Sequence, residues 1–126
     1  MTEAYPMLIV SDVEKSSAFY QELFGVESAH GGPYFEQLTA GGVTQLCLHH
    51  PEIEKHPEIV DPRTTTPGAG VLFYFSVPDV QVVYERARGM DVELFNEPHH
   101  NEIAHAIEFS LRDPDGYTWT VSQKTD

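Results

Sequence analysis

The pattern of apolar and polar positions divides the chain into two similar stretches. Leu8-Ile9-Val10-Ser11-Asp12-Val13 opens the first, and Phe75-Ser76-Val77-Pro78-Asp79-Val80 opens the second. In each, an apolar strand-like run meets a polar residue suited to capping a helix, then Asp-Val. Asp12 and Asp79 are 67 positions apart. After each Asp the apolar period lengthens to that of a helix. Phe19, Leu23 and Phe24 form a stripe that predicts a helix over 13–24. Ser11 and Glu14 stand in capping-box positions, and Gly25 suits a left-handed stop. Val80, Val83, Tyr84 and Ala87 share one face and predict a second helix over 80–88, ended by Gly89. Arg86 and Arg88 complement its dipole.

Three strand-like runs follow each helix: 27–29, 34–38 and 43–49, then 92–96, 106–111 and 117–122. The later runs alternate and are rich in β-branched and aromatic residues. Turn chemistry separates them at Gly31-Gly32-Pro33, Gly41-Gly42 and Asp113-Pro114-Asp115-Gly116. The segment 51–68, with its prolines, Thr64-Thr65-Thr66 and many charges, reads as a linker. The expected organisation is one α+β domain over 1–126, built from a βαβββ module (1–50), a linker (51–68) and a second βαβββ module (69–126).

Composition narrows the functions open to such a domain. The chain has 126 residues and is 40% hydrophobic, enough for one real core. Its formal net charge of -13, from 20 acidic against 7 basic residues, repels nucleic acid and anionic lipid. It suits solubility and would concentrate a cationic ligand. No segment reaches the roughly 18 apolar residues of a membrane span. Met1-Thr2-Glu3-Ala4 carries no basic leader, so a cytoplasmic location is expected. Cys47 excludes an internal disulfide and, between Leu46 and Leu48, reads as a small buried hydrophobe. A nucleophilic role beside His49 and His50 is the weaker reading.

The repeated βαβββ pattern carries further phrases: Ser11-Asp12-Val13 leading to Phe19-Tyr20-Gln21-Glu22-Leu23-Phe24-Gly25, and a closing Arg112-Asp113-Pro114-Asp115-Gly116. Together they resemble the vicinal oxygen chelate superfamily, which includes glyoxalases, bleomycin resistance proteins and extradiol dioxygenases. The resemblance implies two modules whose sheets form an open half-barrel cleft, commonly within a homodimer. It also implies four ligand positions for a divalent metal, which fall on Tyr5, Leu46, Leu72 and Thr120. Leu46 and Leu72 cannot coordinate, and Tyr5 and Thr120 rarely do. The expectation is therefore no metal and no cofactor, as in bleomycin-resistance members, which sequester a drug rather than transform it and so confer antibiotic resistance.

Alternation from these positions gives a cleft lining of Tyr5, Met7, Leu46, Leu48, Leu72, Tyr74, Thr118 and Thr120, and turns Trp119 and Val121 toward the helices. Such a lining, apolar with a few hydroxyls, is typical of small-molecule pockets. His49, His99, His100 and His105 are candidates for the cleft rim, with His99 to His105 read as a polar loop between strands. The first functional reading is a metal-free binding protein for a cationic or aromatic small molecule. The alternative is a metal-dependent lyase, isomerase or dioxygenase using nonstandard ligands drawn from His99, His100, Glu102 and His105. A third is a metal-free enzyme in which Tyr5 or a cleft histidine works with Glu108 as acid and base. No catalytic residue is assigned. No GxSxG, P-loop, CxxC or HExxH pattern occurs.

Overall fold

The computed structural model describes residues 3–52, 61–68 and 71–125. Residues 53–60 of the expected linker, with His56, lie outside the described residues. The chain divides into two compact units, 1–67 and 68–126.

In the first unit the order is β1 (Met7–Ile9), α1 (Val13–Phe24), β2 (Glu27–Ser28), β3 (Phe35–Ala40) and β4 (Val43–His49). The strands form one sheet in the order β1-β4-β3-β2, with β1 parallel to β4 and the remaining pairs antiparallel. α1 begins one residue later than a Ser11–Glu14 capping box requires. Asp12 is the N-cap, and its carboxylate accepts from the Lys15 amide at 3.0 Å. Gly25 closes the helix at φ 73°, in the left-handed region a side chain resists.

The second unit repeats the plan with β5 (Phe73–Ser76), α2 (Val80–Arg88), β6 (His99–Asn101), β7 (Ala106–Arg112) and β8 (Thr118–Lys124). Its sheet runs β5-β8-β7-β6, with β5 parallel to β8. Asp79 caps α2 by accepting from the amides of Gln81 and Val82. The strand expected over 92–96 is reduced to a single bridge, Leu94 to Leu111. Pairing with β7 starts there, since Phe95 N–H donates to the Ser110 carbonyl. It stops at Asn96, whose side-chain Oδ1 takes the Ser110 amide at 2.9 Å and so removes a ladder donor. Pairing resumes only after Pro98, in β6. His99 and His100 are therefore strand residues, not part of a loop.

Each sheet buries one face against its helix. In the first, Ser17 of α1 donates to Glu36, which is in register with Leu48, which is in register with Leu8. That row, with Leu38 and Leu46, is the helix-facing core, and its leucines are 0–3% exposed. In the second, Tyr84 of α2 meets Phe109 edge to face at 5.2 Å. Phe109 is in register with Val121, and Leu111 with Trp119. Phe73 and Phe75 pack their rings against Trp119. These rows are the α2-facing core.

Candidate functional site

With one face of each sheet committed to its helix, the opposite face is where function can sit. Cross-strand register assigns it residue by residue, because directly paired residues share a face and sequence neighbours do not.

In the first unit this face carries Met7 paired with Cys47, Ile9 paired with His49, and Phe35 and Gln37 of β3 paired with His49 and Cys47. Tyr5 precedes β1 and is half-exposed. Leu46 and Leu48 are not on this face: they lie in the α1 core, fully buried. The cause is a register shift between Leu38 and Thr39, where Leu38 pairs with Leu46 but Thr39 with Thr44. Gln45 is the extra residue, and a count from Gly42 that ignores it falls one position short. The residue paired with Met7, as Thr120 is with Tyr74, is Cys47. Burial pushes the Cys47 thiol up, and the negative charge of Glu36 adds to this. His49 is buried, donates from Nδ1 to the His50 carbonyl at 2.7 Å and stands edge-on to Phe35.

In the second unit the face opposite α2 carries Tyr74 and Ser76 of β5, Thr118, Thr120 and Ser122 of β8, and Glu108, Ser110 and Arg112 of β7. Leu72, two residues before Tyr74, shares this parity. Trp119 and Val121 lie on the other side. The face is hydroxyl-rich, and the Ser110 and Thr120 hydroxyls are bonded to one another at 2.8 Å. Above this polar floor stand Leu72 and Tyr74, 47% and 56% exposed. At one side Arg112 stacks over Phe95 with its guanidinium carbon 5.1 Å from the ring centroid. His99 pairs with Glu108 and so shares the face, while His100 pairs with Ile107 and takes the other. His105 lies in the β6–β7 turn with φ 51°. The histidines thus diverge. Among the described residues no three His, Cys, Asp or Glu side chains come together.

Sequence comparison places this architecture. A family model for the glyoxalase/bleomycin resistance protein/dioxygenase superfamily matches residues 4–121. The chain belongs to that superfamily. No curated protein matches its sequence. Solved structures agree on the fold. A superfamily enzyme from Burkholderia phytofirmans PsJN superposes with a TM-score of 0.75 at 21% identity, over 94% of this chain and 95% of that one. A superfamily protein from Nocardioides gives 0.71 at 22%, over 100% and 85%. A lactoylglutathione lyase from Agrobacterium tumefaciens gives 0.69 at 20%, over 97% and 92%.

The superfamily's metal-dependent members supply a test of the donor set. In the first unit the corresponding positions hold Tyr5 and Cys47, and in the second Leu72 and Thr120. Cys47 is a usual ligand type, but one thiolate beside a tyrosine falls short of the three donors a divalent metal needs. Leu72 offers only hydrocarbon, and the Thr120 hydroxyl is bonded to Ser110. In neither unit do the residues present fit a divalent metal. Glu108, considered from the sequence as an acid–base partner, is buried on this face, which nothing in its sequence neighbourhood marks.

Proposed function

We propose that this protein binds a planar small molecule without a metal, in the manner of bleomycin-resistance members of its superfamily, and favours cationic ligands. The observation that carries the reading is the face of the second sheet turned away from α2. There Leu72 and Tyr74 present exposed apolar and aromatic surface beside a floor of hydroxyls, while the positions for metal ligation hold side chains that do not coordinate. Burying flat apolar surface contributes about 25 cal/mol per Å², and the hydroxyls fix orientation. The charge of -13 favours encounter with cations. The protein acts in the cytoplasm as a homodimer. The same charge disfavours nucleic-acid and anionic-membrane partners.

Two measurements test this. Untagged protein dialysed against chelator is expected to hold far less than one equivalent of Zn, Fe, Mn or Ni; near-stoichiometric metal would overturn the metal-free reading. Titration with 2-naphthamidine, 2-naphthamide and 2-naphthoate is expected to give affinities in that order. The cation's association should slow as salt rises past about 0.1 M, where the screening length is about 10 Å. Failure of all three to bind would remove the binding reading.

A further inference from the structure

Among the described residues two buried side-chain polar atoms have no hydrogen-bond partner, Glu108 Oε2 and Arg112 Nε. Both belong to β7, four residues apart, and so lie on the same face, the one turned away from α2. The Arg112 guanidinium is held by other contacts, though none reaches Nε. The guanidinium lies over the Phe95 ring, and Nη1 faces Glu93 at 3.7 Å.

Glu108 is different. It is 7% exposed, and Oε1 accepts from Asn101 Nδ2 at 2.8 Å, but Oε2 receives nothing. None of the donors nearest it, including the Ser122 hydroxyl opposite it on β8, bonds to Oε2. The Nδ1–H of His99, its partner on β6, is given to the Glu97 carbonyl at 3.0 Å. The Ser110 hydroxyl is paired with Thr120. The other buried glutamate among the described residues, Glu36 in the first unit, shows how the same group is treated when its role is structural: its two oxygens accept five hydrogen bonds. A buried carboxyl oxygen without a donor, on the face turned away from α2, is an acceptor available to a donor from outside the chain.

We infer that Glu108 Oε2 is the recognition point for a cationic nitrogen donor of the ligand, an amidinium, guanidinium or ammonium group carried on an apolar body that occupies the face shared with Leu72 and Tyr74. The assignment rests on the binding reading above and names the residue that gives it cation selectivity. Bulk charge supplies encounter. A fixed, buried carboxylate favours a nitrogen cation over a neutral donor of the same shape because the hydrogen bond to the cation is charge-assisted.

The test is Glu108→Gln. Glutamine keeps Oε1 for Asn101 and puts an N–H₂ donor where Oε2 stood, so shape is retained and acceptor becomes donor. Affinity for 2-naphthamidine is expected to fall about tenfold or more, the size of a lost hydrogen bond to a charged group, and that for 2-naphthamide by distinctly less, since its carbonyl can accept from the new N–H₂. In the unmodified protein, the assigned side-chain carboxyl ¹³C signal of Glu108 is expected to move on saturation with 2-naphthamidine and to stay in place with 2-naphthamide. This readout stands even where the variant does not fold. Retained amidine affinity in Glu108→Gln, or a carboxyl signal that ignores the amidine, overturns the role of Glu108 and leaves the binding reading intact. If none of the three naphthalene compounds binds the unmodified protein, the binding reading fails and this assignment with it.

Discussion

Replacing Glu36 with Ala is expected to destabilise the first unit by about 3 kcal/mol or more, read from the urea midpoint. Glu36 sits on β3, 2% exposed, facing α1. Its Oε2 accepts from the Ser17 and Ser28 hydroxyls at 2.9 and 2.6 Å. Its Oε1 accepts from the amides of His30, Gly31 and Gln37 at 3.2, 3.0 and 2.9 Å. One side chain thus ties α1, β2 and the turn before β3 together, and alanine would leave all five donors without their acceptor. Glu36→Gln should cost distinctly less. With its oxygen toward the three amides, its N–H₂ can donate to the two hydroxyls, which are able to reverse, whereas backbone amides cannot. An Ala variant that unfolds at the same urea concentration as the parent would refute the role.

The same cage sets a pH dependence. Burial acts to raise the Glu36 pKa from its ordinary 4.5, but the hydrogen bonds from Ser28, Gly31, Ser17 and His30 outweigh it, and the net shift is downward. A folded-state value below the unfolded one means the unfolded chain takes up its proton first as pH falls. The contribution of Glu36 is therefore complete above about pH 4.5 and is lost as pH drops through the folded-state value. Acid unfolding of Glu36→Gln should lack that part of the slope.

The sequence carried the fold well because its signals are local. The Asp12 and Asp79 phrases locate both helices, and Gly25 and Gly89 end them where expected. Alternation sorted the second sheet correctly: Tyr74 and Thr120 on one face, Trp119 and Val121 on the other. It misassigned Leu46 and Leu48 because a one-residue bulge near Thr39 reverses every position counted across it, and no residue there announces it. It placed a strand at 92–96 because nothing in the apolar pattern shows that the Asn96 side chain will take a ladder amide. The burial of Glu36 and Glu108 was beyond its reach for a shared reason. Both are charged residues in polar-looking contexts, and what distinguishes them is which donors the tertiary fold brings near.

The two faces of the second sheet should answer oppositely to substitution, and Phe109→Ala against Leu72→Glu measures this. Phe109 is 0% exposed, in register with Val121 and edge-on to Tyr84 of α2. Truncation leaves a cavity between sheet and helix that neither can collapse to fill, and the expected cost is about 3–5 kcal/mol. That is a large share of the stability of a domain this size, so partial unfolding at room temperature is the expected appearance. Leu72 is 47% exposed, so a carboxylate there stays in water, and stability should change by no more than about 0.5 kcal/mol. Its effect should fall on binding instead. The apolar contact with a neutral planar ligand is replaced by a hydrated charge, and 2-naphthamide affinity should drop about tenfold. The neutral probe matters, because the added charge would partly offset the loss for an amidine. If Leu72→Glu unfolds the chain, Leu72 belongs to a core. If it folds and binds 2-naphthamide unchanged, the ligand lies elsewhere than on the face that Leu72 and Tyr74 share.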